Sequence, residues 1–265
     1  MPARLISIPF ILLTGVFTYL TLEKDENYSI CIIFFVILLS VIYTLSPQIN
    51  WWWYKRNPPD IDQEMRNLLI KHHVFYNDLS VEDKKRFRNR MALYMMAVEF
   101  IPKGWEQLPE DIKGVIAANV VQMTFQQDDF LLSKFERIVV YTTPFPSPQF
   151  PETLHASEVF EEDGVLLFSA QQIMWSFLQP QQYYNLVLHE YVKIYRMSYP
   201  AKFYPITSWP VVEQISGFSQ KQIEGIIGLS DIDPSLVSGT LYFTHPQKYR
   251  GVAPKLYEKW QVIFS

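Results

Sequence analysis

The chain has 265 residues, of which 49% are hydrophobic and 16% aromatic, and its formal net charge is -4. This length accommodates one or two domains, and the mildly acidic balance argues against a nucleic-acid partner, which would require a basic surface. The lone cysteine, Cys31, excludes a disulfide framework and a thiolate metal cluster.

Two apolar runs open the chain, at about 5–22 and 28–45, and a charged stretch, Glu23-Lys24-Asp25-Glu26-Asn27, separates them. Each run has about 18 residues, close to the minimum for a helix that crosses a hydrocarbon core. A cleaved signal peptide is the alternative for the first run, but no small-x-small cleavage site follows Leu22 and a second apolar run comes at once. We therefore expect a two-helix transmembrane hairpin.

Basic residues flank the hairpin on one side: Arg4 precedes the first run, and Lys55 and Arg56 follow the second. Cytoplasmic flanks of membrane spans carry the excess of lysine and arginine. Both ends of the hairpin are therefore expected to face the cytoplasm, in an inner or cytoplasmic membrane. The aromatic girdle Trp51-Trp52-Trp53-Tyr54 is typical of the headgroup layer.

Three regions are predicted from these boundaries. Residues 1–54 form the hairpin with its aromatic girdle, 55–76 a juxtamembrane helix or linker, and 77–265 a soluble domain. The basic run from Lys84 to Arg90 is interpreted as a solvated helix face, since acids precede it.

The soluble part alternates between helical and strand patterns. Asp60 or Asp62 can cap a first helix, and Ser80 with Asp83 is a capping-box pattern that opens a long one. The expected helices are about 60–71, 80–100, 111–125 and 182–196. Two short apolar runs, 137–141 and 165–169, predict strands, and the proline-rich last third predicts short helices and loops. This order of elements indicates an α+β fold.

The last long helix contains His189-Glu190-Tyr191-Val192-Lys193, which matches the zinc-peptidase motif H-E-x-x-H except at its final position. In the intact motif, two imidazoles one helical turn apart bind one Zn²⁺, and the glutamate is the general base for the metal-bound water. Lys193 carries a positive charge and cannot serve as the second neutral ligand.

Several further stretches are informative through their order and spacing. They are Arg86-Phe87-Arg88-Asn89-Arg90, Glu99-Phe100-Ile101, Ile116-Ala117-Ala118, Val121-Gln122-Met123-Thr124-Phe125, Phe135-Glu136-Arg137-Ile138-Val139-Val140-Tyr141, Pro144-Phe145, Ser147-Pro148, His155 with Glu158, Leu167-Phe168-Ser169 and Asn185-Leu186-Val187-Leu188-His189-Glu190. Together they make the soluble region resemble the Mlc titration factor A (MtfA) family of zinc-dependent, gluzincin-type peptidases. The resemblance implies a zincin-like metallopeptidase domain of helices and a small sheet.

The family also has a downstream glutamate as third zinc ligand, ahead of two aromatics and a proline. The similar stretch here is Thr240-Leu241-Tyr242-Phe243-Thr244-His245-Pro246, so that Thr240 stands at the glutamate position. The resemblance thus implies degenerate metal-site positions at Lys193 and Thr240, while His189 and Glu190, a vestigial general base, remain. A single imidazole does not hold zinc, and no metal or other cofactor is expected.

A few other residues are candidates for the site. One hypothesis is that the Lys193 ammonium occupies the cation position and pairs with Glu190 or another acid. His155, Glu158 and His245 are candidate neighbours, with Ser157 replacing a glycine of the family's H-x-G-E stretch. Each of these histidines is more often a hydrogen-bonded loop or core residue than a relocated ligand, and the adjacent His72 and His73 point in different directions on a helix.

Three functions remain open at this stage. The preferred one is a membrane-anchored pseudopeptidase that binds another protein; the family's named member binds a transcriptional repressor, although that partner does not carry over. The alternative is an active zinc metallopeptidase with a rearranged ligand set, in which His189 is a ligand and Glu190 the base. The third is an accessory subunit of a membrane complex, in which the hairpin makes the principal contact.

Overall fold

The computed structural model describes all residues from Met1 to Ser265. The chain divides into two compact units, Met1–Pro59 and Asp60–Ser265. Residues 55–76 were predicted as a juxtamembrane helix or linker, and within this region Ile61, Met65 and Leu69 belong to the core of the second unit.

The first unit contains the two predicted apolar helices. Helix α1 spans Pro2–Glu23, a short 3-10 turn covers Glu26–Tyr28, α2 spans Ser29–Thr44 and α3 spans Ser46–Arg56. The Asp25 carboxylate accepts from the Asn27 amide and closes the turn between the helices. By length and composition, Pro2–Glu23 and Glu26–Thr44 are each able to cross a membrane.

Hydroxyl groups within these two helices are bonded to the helices themselves. Thr14 donates to the Phe10 carbonyl at 2.7 Å and Ser40 to the Val36 carbonyl at 2.9 Å, and Thr18, Thr21 and Thr44 do the same four residues back. A polar group in hydrocarbon has no water to bond. The hydroxyls are therefore compatible with a membrane environment.

The second unit combines helices of moderate length with a small sheet. Its elements are α4 (Gln63–His72), α5 (Val74–Asp78), α6 (Val81–Ala97), β1 (Glu99–Lys103), α7 (Glu110–Met123), β2 (Arg137–Tyr141), β3 (Ser157–Phe160), β4 (Val165–Ser169), α8 (Ala170–Leu178), α9 (Leu186–Ser198), α10 (Trp209–Ser216), α11 (Gln220–Ile227), α12 (Pro234–Thr244), α13 (Pro246–Val252) and α14 (Pro254–Phe264). The predicted α+β class is confirmed.

The sheet is mixed and has the order β1-β2-β4-β3. Strands β1, β2 and β4 are parallel, with Ile138 of the central strand β2 paired to Phe100 and Leu166. Strand β3 runs antiparallel at the edge beside β4. Helix α9 packs against β3, α7 and α12, so the motif helix lies between the sheet edge and the C-terminal helices.

Close approach of α12 to α9 depends on a glycine. A Cβ at Gly239 would lie 2.7 Å from Val192 Cγ1 of α9 and 2.9 Å from the Trp260 ring. Real Cβ atoms do not approach other heavy atoms this closely, so a side chain at this position would push the helices apart. Gly239 thereby allows its neighbour Thr240 to lie close to the motif helix.

The structure differs from the sequence prediction at two strands. The helix expected to run to about residue 100 ends at Ala97, because Val98 is extended and the following residues pair with β2 as β1. Pro102 within β1 is incompatible with a continuing helix. Strand β3 was not predicted, since it has only four residues and begins with the polar pair Ser157-Glu158.

Candidate functional site

The motif helix α9 begins at Leu186, and Asn185 caps it by accepting from the Leu188 amide at 2.9 Å. The Asn185 amide group also donates to Asn119 Oδ1 on α7 at 2.7 Å. This pairing fixes the start of α9 against the core. His189 and Glu190 follow in the first turn and a half, and each is only 3% exposed.

The His189 imidazole is bonded to Tyr184, a residue that the sequence analysis did not single out. The Tyr184 hydroxyl lies 2.8 Å from His189 Nδ1, and the two rings meet edge to face at 5.5 Å. Burial lowers the pKa of His189; the nearby Glu190 charge opposes this shift, and the Lys193 charge adds to it. The imidazole is therefore neutral at neutral pH, and its Nδ1 shares one hydrogen bond with the Tyr184 hydroxyl.

Tyr184 also lies near Thr240. Burial raises the pKa of Tyr184, and the neighbouring Thr240 hydroxyl only partly offsets this rise, so the phenol stays protonated. Thr240 itself donates to the Leu236 carbonyl of α12 at 3.1 Å. The structure thus brings two of the three expected ligand positions to one tyrosine hydroxyl.

Glu190 points toward the sheet edge. Its Oε1 accepts from the Ser157 hydroxyl of β3 at 2.7 Å. Its Oε2 is buried and has no hydrogen-bond partner. The carboxylate is therefore held by a single hydroxyl group, and that hydroxyl comes from the position where the family has a glycine.

Lys193 does not form the hypothesised ion pair. It is half-buried, and the carboxylate three residues before it is turned to β3, where Ser157 binds it. Lys193 influences the site through its charge, which favours the neutral form of His189. The pairing of Lys193 with Glu190 that the spacing suggested is thus not present in the structure.

The other candidate residues have local structural partners. His155 Nε2 lies 2.9 Å from Glu158 Oε2, both side chains are buried, and Nδ1 lies 3.1 Å from the Thr153 carbonyl. His245 Nδ1 lies 2.8 Å from the Thr244 hydroxyl, and burial lowers the pKa of His245 to about 4. His73 caps α5 by accepting from the Tyr76 amide.

The side chains do not fit a zinc site in this arrangement. No group of three or more His, Cys, Asp or Glu side chains converges where it could hold a metal ion. Zinc in peptidases needs three protein ligands and an open coordination position, whereas Lys193 and Thr240 stand at two of the three expected ligand positions. No catalytic step through a metal follows from this geometry.

Two adjoining cavities lie near the N-terminal end of α9. One has a volume of about 120 Å³ and is lined by Asn185 and Leu188 of α9 with Phe75, Gln122 and Phe243. The other has a volume of about 260 Å³ and shares Phe75, Gln122 and Phe243. Neither is lined by His189, Glu190 or Lys193, so these cavities do not open onto the motif residues.

Comparison with known proteins gives two findings. The family described as "Glucose-regulated metallo-peptidase M90" matches residues 49–194, more than half of the chain and including all of the H-E-Y-V-K segment. An uncharacterized protein of Synechocystis sp. is 22% identical over 127 residues, which are 44% of this chain and 46% of that protein. The aligned part thus spans about half the length of this relative.

Proposed function

Because the chain belongs to the glucose-regulated metallo-peptidase M90 family, we propose that it is a membrane-anchored pseudopeptidase whose zinc-peptidase-like domain binds another protein. The observation that carries this proposal is that His189 and Glu190 are buried and bonded within the protein, while two of the three expected ligand positions hold residues that do not bind zinc. Tyr184 bonds His189 and Ser157 bonds Glu190, while Lys193 and Thr240 stand at the degenerate positions.

The buried state of Glu190 argues against a role as general base. A general base must come within hydrogen-bonding reach of a water molecule or substrate proton. Glu190 is 3% exposed, and its Oε1 already accepts a hydrogen bond from the Ser157 hydroxyl. A carboxylate enclosed in this way has a structural role.

An exposed loop after α9 supports protein binding. Phe203 and Ile206 are 82% and 86% exposed, the highest values among large apolar side chains of the second unit. The adjacent residues are hydrogen-bonded to the rest of the domain. Lys202 donates to the Ile263 carbonyl at 2.7 Å and Tyr204 to the Tyr199 carbonyl at 3.0 Å. Large exposed apolar patches mark interaction sites, and this pair is the candidate centre of such a patch.

Membrane anchoring by α1 and α2 completes the proposal. Arg4, Lys55 and Arg56 support an orientation with both ends of the hairpin in the cytoplasm, because cytoplasmic flanks carry the excess of basic residues. The soluble unit then acts at the cytoplasmic surface, as a regulatory protein or as an accessory subunit of a membrane complex.

Zinc content tests the loss of metal chemistry. The purified full chain in detergent is expected to contain far less than about one zinc ion per chain by elemental analysis. The variant Lys193→His/Thr240→Glu/Tyr184→Phe restores the two ligand positions and makes room for the new glutamate side chain beside His189, and it should bind about one zinc ion. The matched variant Lys193→Gln/Thr240→Gln/Tyr184→Phe, which supplies amides instead of ligands, should bind none.

A contrary result would favour the active enzyme. Stoichiometric zinc in the unaltered chain, together with a chelator-sensitive cleavage of peptides that Glu190→Gln abolishes, would establish a zinc metallopeptidase with a rearranged ligand set. Pseudopeptidase function predicts that Glu190→Gln behaves like the unaltered chain in every binding measurement.

Photo-crosslinking in cells tests the binding surface. A photoreactive amino acid at Phe203 or Ile206 should yield an adduct of defined mass, whereas the same residue at Val262, which is 76% exposed on α14, should not. Identical adducts at all three positions would contradict a specific surface. Adducts that form only from a position in α1, such as Leu12, would identify the hairpin as the principal contact of an accessory subunit.

A further inference from the structure

A cavity of about 400 Å³ lies between the three helices of the first unit. Its lining includes Arg4, Ser7 and Ile11 of α1, Leu39 and Ile42 of α2, and Asn50 of α3. The cavity is open on one side, and it is large enough to hold part of a small molecule or of a lipid chain. It lies outside the peptidase-like domain and has no part in the site described above.

The helices are held around this cavity by a specific contact. Asn50 Oδ1 accepts from the Ala3 amide at 3.0 Å, which ties the first turn of α1 to α3. Ala3 is the one buried residue of α1. Leu45 separates α2 from α3, and Pro47 lies in the first turn of α3. Helix α2 therefore ends before α3 begins, and α3 brings the polar side chain of Asn50 next to the start of α1.

The lining divides by chemistry. Ile11, Leu39 and Ile42 contribute apolar side chains, while Arg4, Ser7 and Asn50 contribute a guanidinium, a hydroxyl and an amide, and no carboxylate lines the cavity. Helix α3 continues to Lys55 and Arg56, whose cationic groups lie over the rings of Trp51 and Trp52. A guanidinium with several donors suits a phosphate group, and the aromatic residues suit the headgroup layer of a membrane.

We propose that this cavity binds an anionic phospholipid, with an acyl chain against Ile11, Leu39 and Ile42 and the phosphate group at the Arg4 guanidinium and the Asn50 amide NH2. The inference rests on the proposed membrane anchoring of the hairpin. Apolar and cationic groups that share one cavity at the end of two apolar helices match the two parts of a phospholipid. The bound lipid fills the space between α1 and α2 and lies next to Ala3 and Asn50, which are hydrogen-bonded to each other.

Native mass spectrometry of the full chain tests the proposal. The protein is reconstituted in nanodiscs with equal amounts of phosphatidylglycerol and phosphatidylcholine and is then released. The unaltered chain should retain phosphatidylglycerol in preference to phosphatidylcholine. Arg4→Gln should lower retention of phosphatidylglycerol about tenfold, because a hydrogen bond to a charged group is lost. Ile42→Trp should remove retention by filling the cavity.

Two matched variants control for charge and bulk. Lys24→Gln removes a cation at the opposite end of the hairpin, and Ile37→Trp adds bulk at an α2 position that is 59% exposed and outside the lining. Both should retain lipid as the unaltered chain does. Equal retention in Ile42→Trp and Ile37→Trp, equal retention of the two lipids, displacement of the lipid by free glycerol phosphate, or a dimer in place of the lipid adduct would each overturn the site.

Carbonate extraction of membranes separates this inference from the proposed function. Release of the full chain into the supernatant would overturn both the membrane anchor and the lipid site. A chain that stays in the membrane but shows no preference for phosphatidylglycerol would overturn the lipid site alone.

Discussion

A buried carboxylate loses the hydration that it has in water, so its remaining contacts determine what it costs the fold. Glu190 has one such contact, the Ser157 hydroxyl, and its other oxygen has none. An active zinc peptidase would keep this carboxylate next to its catalytic water. In this chain the serine that binds Glu190 replaces the glycine expected from the family, and the two residues form a structural pair.

Opposite stability effects are expected at the two ends of this pair. Ser157→Ala should lower the free energy of unfolding by about 1–3 kcal/mol, because it leaves a buried carboxylate without a donor. Glu190→Gln keeps an acceptor for Ser157 and removes the buried charge, so it should be neutral or stabilising. Chemical denaturation of the full chain in detergent measures both. A larger loss in Glu190→Gln than in Ser157→Ala would indicate an unseen cationic partner of Glu190.

Acid is expected to destabilise the second unit through buried histidines. Burial lowers the pKa of His73 from 6.5 to about 4, and its Nδ1 accepts from the Tyr76 amide at the start of α5. The unfolded chain therefore binds this proton before the folded chain does. The free energy of unfolding should fall as the pH drops from 6.5 toward 4, by up to about 3 kcal/mol for this residue, and should not depend on His73 above 6.5.

Substitution of His73 by asparagine tests this pH dependence. Asparagine is a good helix cap without a titrating ring, so His73→Asn should flatten the stability profile between pH 6.5 and about 4. His245 has a similarly lowered pKa, so part of the dependence should persist. Ser80→Asn exchanges the cap of α6 and should leave the profile unchanged. An unaltered profile in His73→Asn would assign the acid sensitivity to other groups.

The sequence patterns predicted which residues belong to the site, but they did not predict which side chains those residues contact. His189 and Glu190 could be found because H-E-x-x-H has a fixed spacing, and Thr240 because of the aromatics and proline that follow it. Tyr184 could not be found in this way. It lies just before the start of α9, and only the approach of α12, which Gly239 permits, brings Thr240 beside its hydroxyl.

At the scale of elements, prediction succeeded where the pattern is local. Strands β2 and β4 have the predicted bounds, since each is a continuous apolar run. Ser80 caps α6 through the Asp83 amide as expected. Strand β1 directly follows a helix and contains a proline, and β3 begins with polar residues. Both strands form because a neighbouring strand is available, and this information is not in the local sequence.

One tight contact between elements can be tested with a pair of glycines. Gly228 ends α11 with φ +87, and a Cβ there would collide with the Leu154 carbonyl next to His155. Gly217 ends α10 with φ +81, and a Cβ there would have no other atom within 4 Å. The two residues share the left-handed conformation and differ only in the space around them.

Alanine at these two positions should therefore have unequal effects. Gly217→Ala should cost about 1–2 kcal/mol from the left-handed conformation alone. Gly228→Ala should cost clearly more, because the C-terminal end of α11 must move away from the segment that leads into β3. Urea unfolding of the two variants in parallel measures the difference. Equal losses would mean that the contact between Gly228 and Leu154 is easily relaxed.

At the scale of the whole molecule, the family match and the apolar helices describe different parts of the chain. The match begins at residue 49, within α3, and the two apolar helices precede it. A peptidase-like domain does not require such helices for folding, because its core is contained in Asp60–Ser265. The two apolar helices thus stand apart from this core, and under the proposed membrane anchoring their orientation decides on which side of the membrane the domain lies.

The single native cysteine makes this orientation measurable. Cys31 lies within α2, so the unaltered chain should not react with a membrane-impermeant maleimide in intact cells. Glu26→Cys, in the turn between the apolar helices, should be labelled in intact cells, whereas Lys259→Cys on α14 should be labelled only after lysis. Both positions are exposed. The reverse pattern would place the peptidase-like domain outside the cytoplasm. Arg4, Lys55 and Arg56 would then be explained by contacts with anionic lipid headgroups and not by the positive-inside rule.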